Sequence, residues 1–140
     1  MPKGQAKPDP HTGSRPIPES VQSAVRLRVL NHAQAHYAGK YRRIDVRFHG
    51  AMCYIDAYQE PAPGSEGVAA LTGETPAEFA ERMRNTPVHL VRLRHFDENQ
   101  WGMAFYTYSH ERYEPCFYPN GRVFGTVEQA FDVGAVYLTD

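Results

Sequence analysis

Four groups of residues have types and spacings that could do chemistry. His32 and His36, in "HAQAH", stand four apart, so on a helix their imidazoles share one face, the spacing that suits a transition metal. No third ligand completes the pattern, since no Glu follows the first His as in zinc proteases, and the half-buried helix histidine is the preferred reading. Cys53 would need a base and an oxyanion donor to act as a nucleophile. Its alternation places it among core residues, which makes it an inert buried thiol. Ser109, His110 and Glu111 are consecutive, and consecutive side chains point apart, so they build a turn and not a triad. No catalytic residue is assigned and no metal site is expected.

The fourth group is larger. "WGMAFYTYSHERYEP" (101–115) combines Trp, Phe and three Tyr with Ser, His, Glu and Arg. The upstream segment "RRIDVRFHG" alternates, with Ile44, Val46 and Phe48 on one side and Asp45, Arg47 and His49 on the other. "MCYIDAY" alternates as well, setting Cys53, Ile55 and Ala57 against Tyr54, Asp56 and Tyr58. Adding Arg92 and Arg94 from "VHLVRLRHF", and Tyr106 and Tyr108 from "WGMAFYTY", collects a polar-aromatic sheet face. The expected ligand-binding residues are therefore Arg47, His49, Tyr54, Asp56, Tyr58, Arg92, Arg94, Tyr106 and Tyr108. Tyrosine can stack a ring while arginine holds phosphate or carboxylate. The competing reading is cross-strand pairing that serves the sheet alone.

Positioning that face requires strands joined by tight turns and helices to cover the opposite side. "PESVQSAVRLRVLNHAQAHYAG" opens with Pro18 and Glu19 and stops at Gly39, a helix whose apolar residues run nearly all the way round, so it is expected to be substantially covered. Gly50 predicts a hairpin, and "QEPAPGSEGVAALTG" a long loop. Thr75, Pro76 and Glu78 form a capping box that starts the short helix "PAEFAERMR", and Thr126 with Gln129 repeats the spacing. "DENQ" reads as a second hairpin turn. "YEPCFY" and "RVF" read as strands around Asn120-Gly121, where both residues would take positive φ, and "AVYL" as a last edge strand. The fold class is thus α+β, a mainly antiparallel sheet of about five or six strands with an N-terminal helix and short helices on one face.

At 140 residues the chain is one domain's length, and its 41% hydrophobic and 22% charged residues are ordinary for a globular protein. Residues 1–18 hold five of the eleven prolines and little apolar surface, which reads as a Pro-rich basic arm dispensable for folding, ahead of a single domain over 19–140. No span of membrane length and no secretory leader is visible, and two cysteines are too few for a disulfide framework. Both are read as reduced, packed side chains in a cytoplasmic protein. The net charge of −1 divides into +6 over residues 1–47 and −7 over the rest. An internal electrostatic fit is preferred over an arm that seeks an anionic partner.

Read together, "RFHGAMCYIDAY", "VRLRHF" and "WGMAFYTYSHERYEPCFYPNGRVFGTVEQAF" resemble a small family of uncharacterised, hypothetical bacterial proteins over roughly residues 41–138. The resemblance implies a bacterial, cytoplasmic source and brings no activity, cofactor or catalytic residue with it.

The expected function is a non-enzymatic binding or accessory protein that uses the polar-aromatic face, with nucleic acid or another protein as partner. The alternative is a small-molecule binder or enzyme with a pocket on that face, which requires a concavity there. Self-association is a third option, because Tyr and Arg are enriched at interfaces. No membrane partner and no cofactor are expected.

Overall fold

The computed structural model describes residues 16–62 and 64–138, so residues 1–15 of the expected arm lie outside the described residues. The fold is α+β. Its sheet has five strands: β1 (Arg43–His49), β2 (Met52–Tyr58), β3 (Val88–Asp97), β4 (Gln100–Thr107) and β5 (Arg112–Cys116), all antiparallel in the spatial order 1-2-3-4-5. The helices are α1 (Glu19–Tyr37), α2 (Ala69–Thr72), α3 (Pro76–Arg84) and α4 (Val127–Gly134), with short 3-10 turns at Ser65–Val68 and Ala135–Tyr137.

Helices α1 and α4 cover one sheet face. From α1, Val25, Val29 and Ala33 are buried at a spacing of four, one narrow stripe. Leu27 on the opposite side is 61% exposed, so the helix is covered on one side only, contrary to the all-round burial its apolar residues suggest. From α4, Val127, Ala130, Phe131 and Gly134 face inward. Beneath them lie Ile44, Val46, Cys53, Ile55, Ala57, Val91, Leu93, Trp101 and Met103, the apolar set of the alternating strands. Gly134 has a specific reason to be glycine: an added Cβ would stand 2.7 Å from the Leu90 carbonyl oxygen, so its absence lets α4 close on β3.

Both capping boxes are present. Thr75 Oγ1 accepts from the Glu78 N–H while the Glu78 carboxylate accepts from the Thr75 N–H, and Thr126 with Gln129 repeats the exchange. The "DENQ" turn closes with Asp97 opposite Gln100, and Asn99 takes φ 59°.

Several local expectations fail for tertiary reasons. "AVYL" is a 3-10 turn, not a strand: Ala135 and Leu138 join the core under the sheet while Tyr137 stacks on Phe105 at 5.2 Å. "RVF" is irregular, and β5 ends at Cys116, because Tyr118 turns inward and donates its hydroxyl to the Trp101 carbonyl at 2.6 Å. In the Asn120-Gly121 turn only Gly121 has positive φ. The loop after β2 holds a 3-10 turn and α2, which pack with α3 as the connection to β3. The end of the arm is also corrected, since Ile17 is 2% exposed within the core and its N–H donates to the Gly50 carbonyl at 3.1 Å. Cys53 is buried as expected, but Cys116 is exposed at the edge strand; both thiols are free.

Among the described residues part of the charge division is met internally. Arg28, Arg42 and Arg47 from the basic third reach Glu128, Glu60 and Asp56 from the acidic remainder. Arg26 instead caps the Val46 carbonyl on edge strand β1 at 3.1 Å. Among the described residues no helix is long and apolar enough to cross a membrane.

Candidate functional site on the open sheet face

Among the described residues no helix lies over the centre of the second sheet face, and the register assembles most of the expected residues on it. Arg47 stands opposite Tyr54, and Tyr54 in turn opposite Arg92. Arg94 is opposite Met52 on one side and Gly102 on the other, while Tyr106 is opposite Tyr113. Two of the expected residues sit apart. Tyr58 lies at the far end of β2 under the Arg43 guanidinium, 4.0 Å from its ring centroid. His49 ends β1 and borders a separate depression of about 630 Å³ that includes Arg26, Arg47 and Tyr54.

One half of the face is a network centred on Asp56, which is 2% exposed. Its carboxylate accepts from Arg47 Nη2 at 2.9 Å and pairs with His89 Nδ1 at 2.9 Å. A buried carboxylate needs such partners, because desolvation is costly for an unpaired charge. The rings of Tyr106 and Tyr113 lie 4.7 and 6.1 Å from the His89 ring, and the Tyr108 hydroxyl accepts the His89 backbone N–H at 2.8 Å. Burial first, and the Asp56 charge second, push the Tyr113 phenol well above its ordinary value, so it stays neutral. Arg47, Asp56 and His89 thus turn their polar atoms toward one another, while the Tyr113 hydroxyl is buried with no hydrogen-bond partner among the described residues.

His89 is absent from the residues legible in the sequence. Strict alternation through "VHLVRLRHF" would put His89 on the covered face with Val91 and Leu93. A bulge intervenes: Ile55 pairs with Val91 and Asp56 with His89, which leaves Leu90 as an extra residue and moves His89 to the open face. The signal was the adjacent apolar pair Leu90-Val91 between polar His89 and Arg92.

The other half is concave. Gly102 and Ala104 of β4 project little or no side chain, and they floor a groove of about 740 Å³. Arg92, Arg94 and Met52 form one wall, Pro115, Cys116 and Phe117 the other, and Phe96 and Val123 close the end. Arg94 leans on the Phe96 ring at 5.6 Å and Arg92 on the Tyr113 ring at 5.4 Å. Phe117 and Val123 are 67% and 55% exposed, far more than apolar side chains with a packing role. Of the expected site residues, Arg92 and Arg94 belong to this groove; Gly102, Ala104, Phe96, Phe117 and Val123 were missed, because a floor of small residues is visible only once three strands are aligned.

His32 and His36 lie elsewhere, with ring centroids 4.6 Å apart on α1, and His32 Nε2 pairs with Asp132 of α4 at 2.7 Å. The Tyr37 hydroxyl donates to the same carboxylate at 2.7 Å. His32 thus docks α4 onto α1. Ser109, His110 and Glu111 lie in the β4–β5 turn, where His110 Nδ1 pairs with Glu114 at 2.8 Å.

Comparisons of the chain with protein-family models, with curated proteins and with solved structures find no match.

Proposed function

We propose that the chain is a non-enzymatic binding protein that works through the open sheet face and seats a small ligand in the groove floored by Gly102 and Ala104. The observation that carries this reading is the groove itself: a concavity of about 740 Å³, within the ~300–1,000 Å³ range of small-molecule sites, whose described lining is apolar apart from two arginines. A binding role is favoured over catalysis because the described lining holds no carboxylate, imidazole or hydroxyl side chain to move a proton. The Asp56–His89 pair is engaged within the tyrosine network, outside the groove. Nucleic acid is the weaker partner, since Arg47 on this face is already paired with Asp56 and three further arginines, Arg28, Arg42 and Arg82, pair with acids elsewhere. A bacterial source and a cytoplasmic location complete the proposal.

The test is a set of amide ¹H–¹⁵N spectra of the full chain titrated with a chemically broad fragment library, beside low-salt gel shifts with single- and double-stranded nucleic acid. The reading expects fragment-induced shifts clustered at Gly102, Ala104 and Phe117 and no retarded nucleic acid band. Retarded nucleic acid with an unmoved groove would replace it.

A further inference from the structure

The groove also indicates its ligand's chemistry. Resting on the reading of the groove as the binding site, we propose that it takes a compact aromatic carboxylate, a flat apolar ring bearing one anionic group. Of the eleven described lining residues, Arg92 and Arg94 alone carry charge, and none is Asp, Glu, Asn, Gln, Ser or Thr. Strand pairing on both sides of β4 engages its backbone groups as well. Among the described residues the side walls therefore offer the Arg92 guanidinium as a strong donor and no strong side-chain acceptor. A sugar, a nucleoside or an amine brings hydroxyl or N–H donors that would lose water and gain no partner, at about 1–3 kcal/mol each. A carboxylate brings acceptors alone, which guanidinium satisfies in bidentate fashion.

The shape selects a ring. Gly102 leaves the floor flush with the backbone, and the Phe96 ring lies against it so closely that a Cβ on Gly102 would meet Phe96 Cε2 at 3.3 Å. Phe117 stands exposed across the groove, so a planar ligand between floor and wall covers apolar surface that water now touches. Arg92 is the anchor: its guanidinium rests on the Tyr113 ring, and among the described residues it makes no ion pair. Arg94, two residues along the strand and about 7 Å away, adds positive potential at the Phe96 end.

The test uses 2-naphthoate as probe, with calorimetry and amide shift mapping on the full chain. Its comparators are 2-naphthylmethanol (the neutral ring), decanoate (an aliphatic acid) and AMP (a nucleotide). Naphthoate is expected to bind with shifts at Gly102 and Ala104, and naphthylmethanol to bind at least tenfold more weakly. Arg92→Gln should weaken naphthoate about tenfold or more, the loss of one charge-assisted contact. Phe117→Ala and Val123→Asp alter exposed side chains, so they keep the fold, and both should weaken naphthoate binding. Equal binding of naphthylmethanol, or full affinity in Arg92→Gln and Val123→Asp, would overturn the proposal. AMP or decanoate shifting the groove amides without naphthoate doing so would overturn the ligand class and leave the groove as the site. A groove that no compound touches would remove both readings.

Discussion

Replacing Ile17 by alanine tests whether the domain begins before its first helix. Ile17 is 2% exposed, lies in the same cluster as Val25, Val29 and Trp101, and is tied to the β1–β2 turn through its N–H bond to Gly50. Its carbonyl also accepts from Gln22 Nε2 at 2.9 Å. Burying an isoleucine side chain is worth about 1.5–3 kcal/mol, and Ile→Ala in a core costs about 2–5 kcal/mol. A site two residues ahead of a helix can partly collapse, which favours the low end, about 2–3 kcal/mol. For a domain of this size that is a fall of roughly 8–12 °C in Tm. Deleting residues 1–17 removes the two backbone hydrogen bonds as well, so it should cost more than Ile17→Ala. Deleting 1–15, a stretch of Pro, Gly and polar residues, is expected to change stability little. Urea titrations of the three variants beside the parent chain give the free energies directly. If Ile17→Ala stays within about 0.5 kcal/mol of the parent, the ordinary range for a surface change, the placement of Ile17 in the core is wrong.

Other consequences are equally direct. Gly134→Ala would drive a methyl to within 2.7 Å of the Leu90 carbonyl oxygen, so α4 must shift; a loss of about 1–3 kcal/mol by urea unfolding is expected, although alanine is the better helix former. Glu128 is held below the usual carboxylate value first by the hydrogen bonds from Arg28, against the opposing effect of burial. A depressed folded value adds stability that is fully present above the unfolded value of about 4.3 and is lost as pH falls through the folded one. Stability measured from about pH 6 down to about pH 3 should therefore fall less steeply in Arg28→Gln than in the parent. Burial raises both thiols, Cys53 to about 12, but Cys116 is exposed, so iodoacetamide at about pH 8.5 should label Cys116 faster than Cys53 in the folded chain and both thiols in urea, read by peptide mass. Labelling of Cys53 at the same rate as Cys116 would contradict the packing described.

The features legible in the chain were those with short-range causes. Alternation in "RRIDVRFHG" and "MCYIDAY" reports which side chains meet water, and the period of two transfers directly to the paired strands, where Val46 faces Ile55 and Arg47 faces Tyr54. The two capping boxes span four residues each, so their hydrogen bonds need no distant partner. What the tertiary structure decided depends on distant partners. Whether "AVYL" extends or coils was settled by the space under the sheet, and Leu27 is exposed because α1 packs chiefly on β1 and α4 from its opposite side. The Leu90 bulge moved His89 across the sheet to meet Asp56, thirty-three residues away, and no local preference encodes that meeting. The groove arose the same way. Gly102 and Ala104 are unremarkable in sequence, and they become a floor only because β3 and β5 raise longer side chains on either side. Local patterns specify what a segment prefers; a cavity is the shape left between segments, so it exists only after they pack.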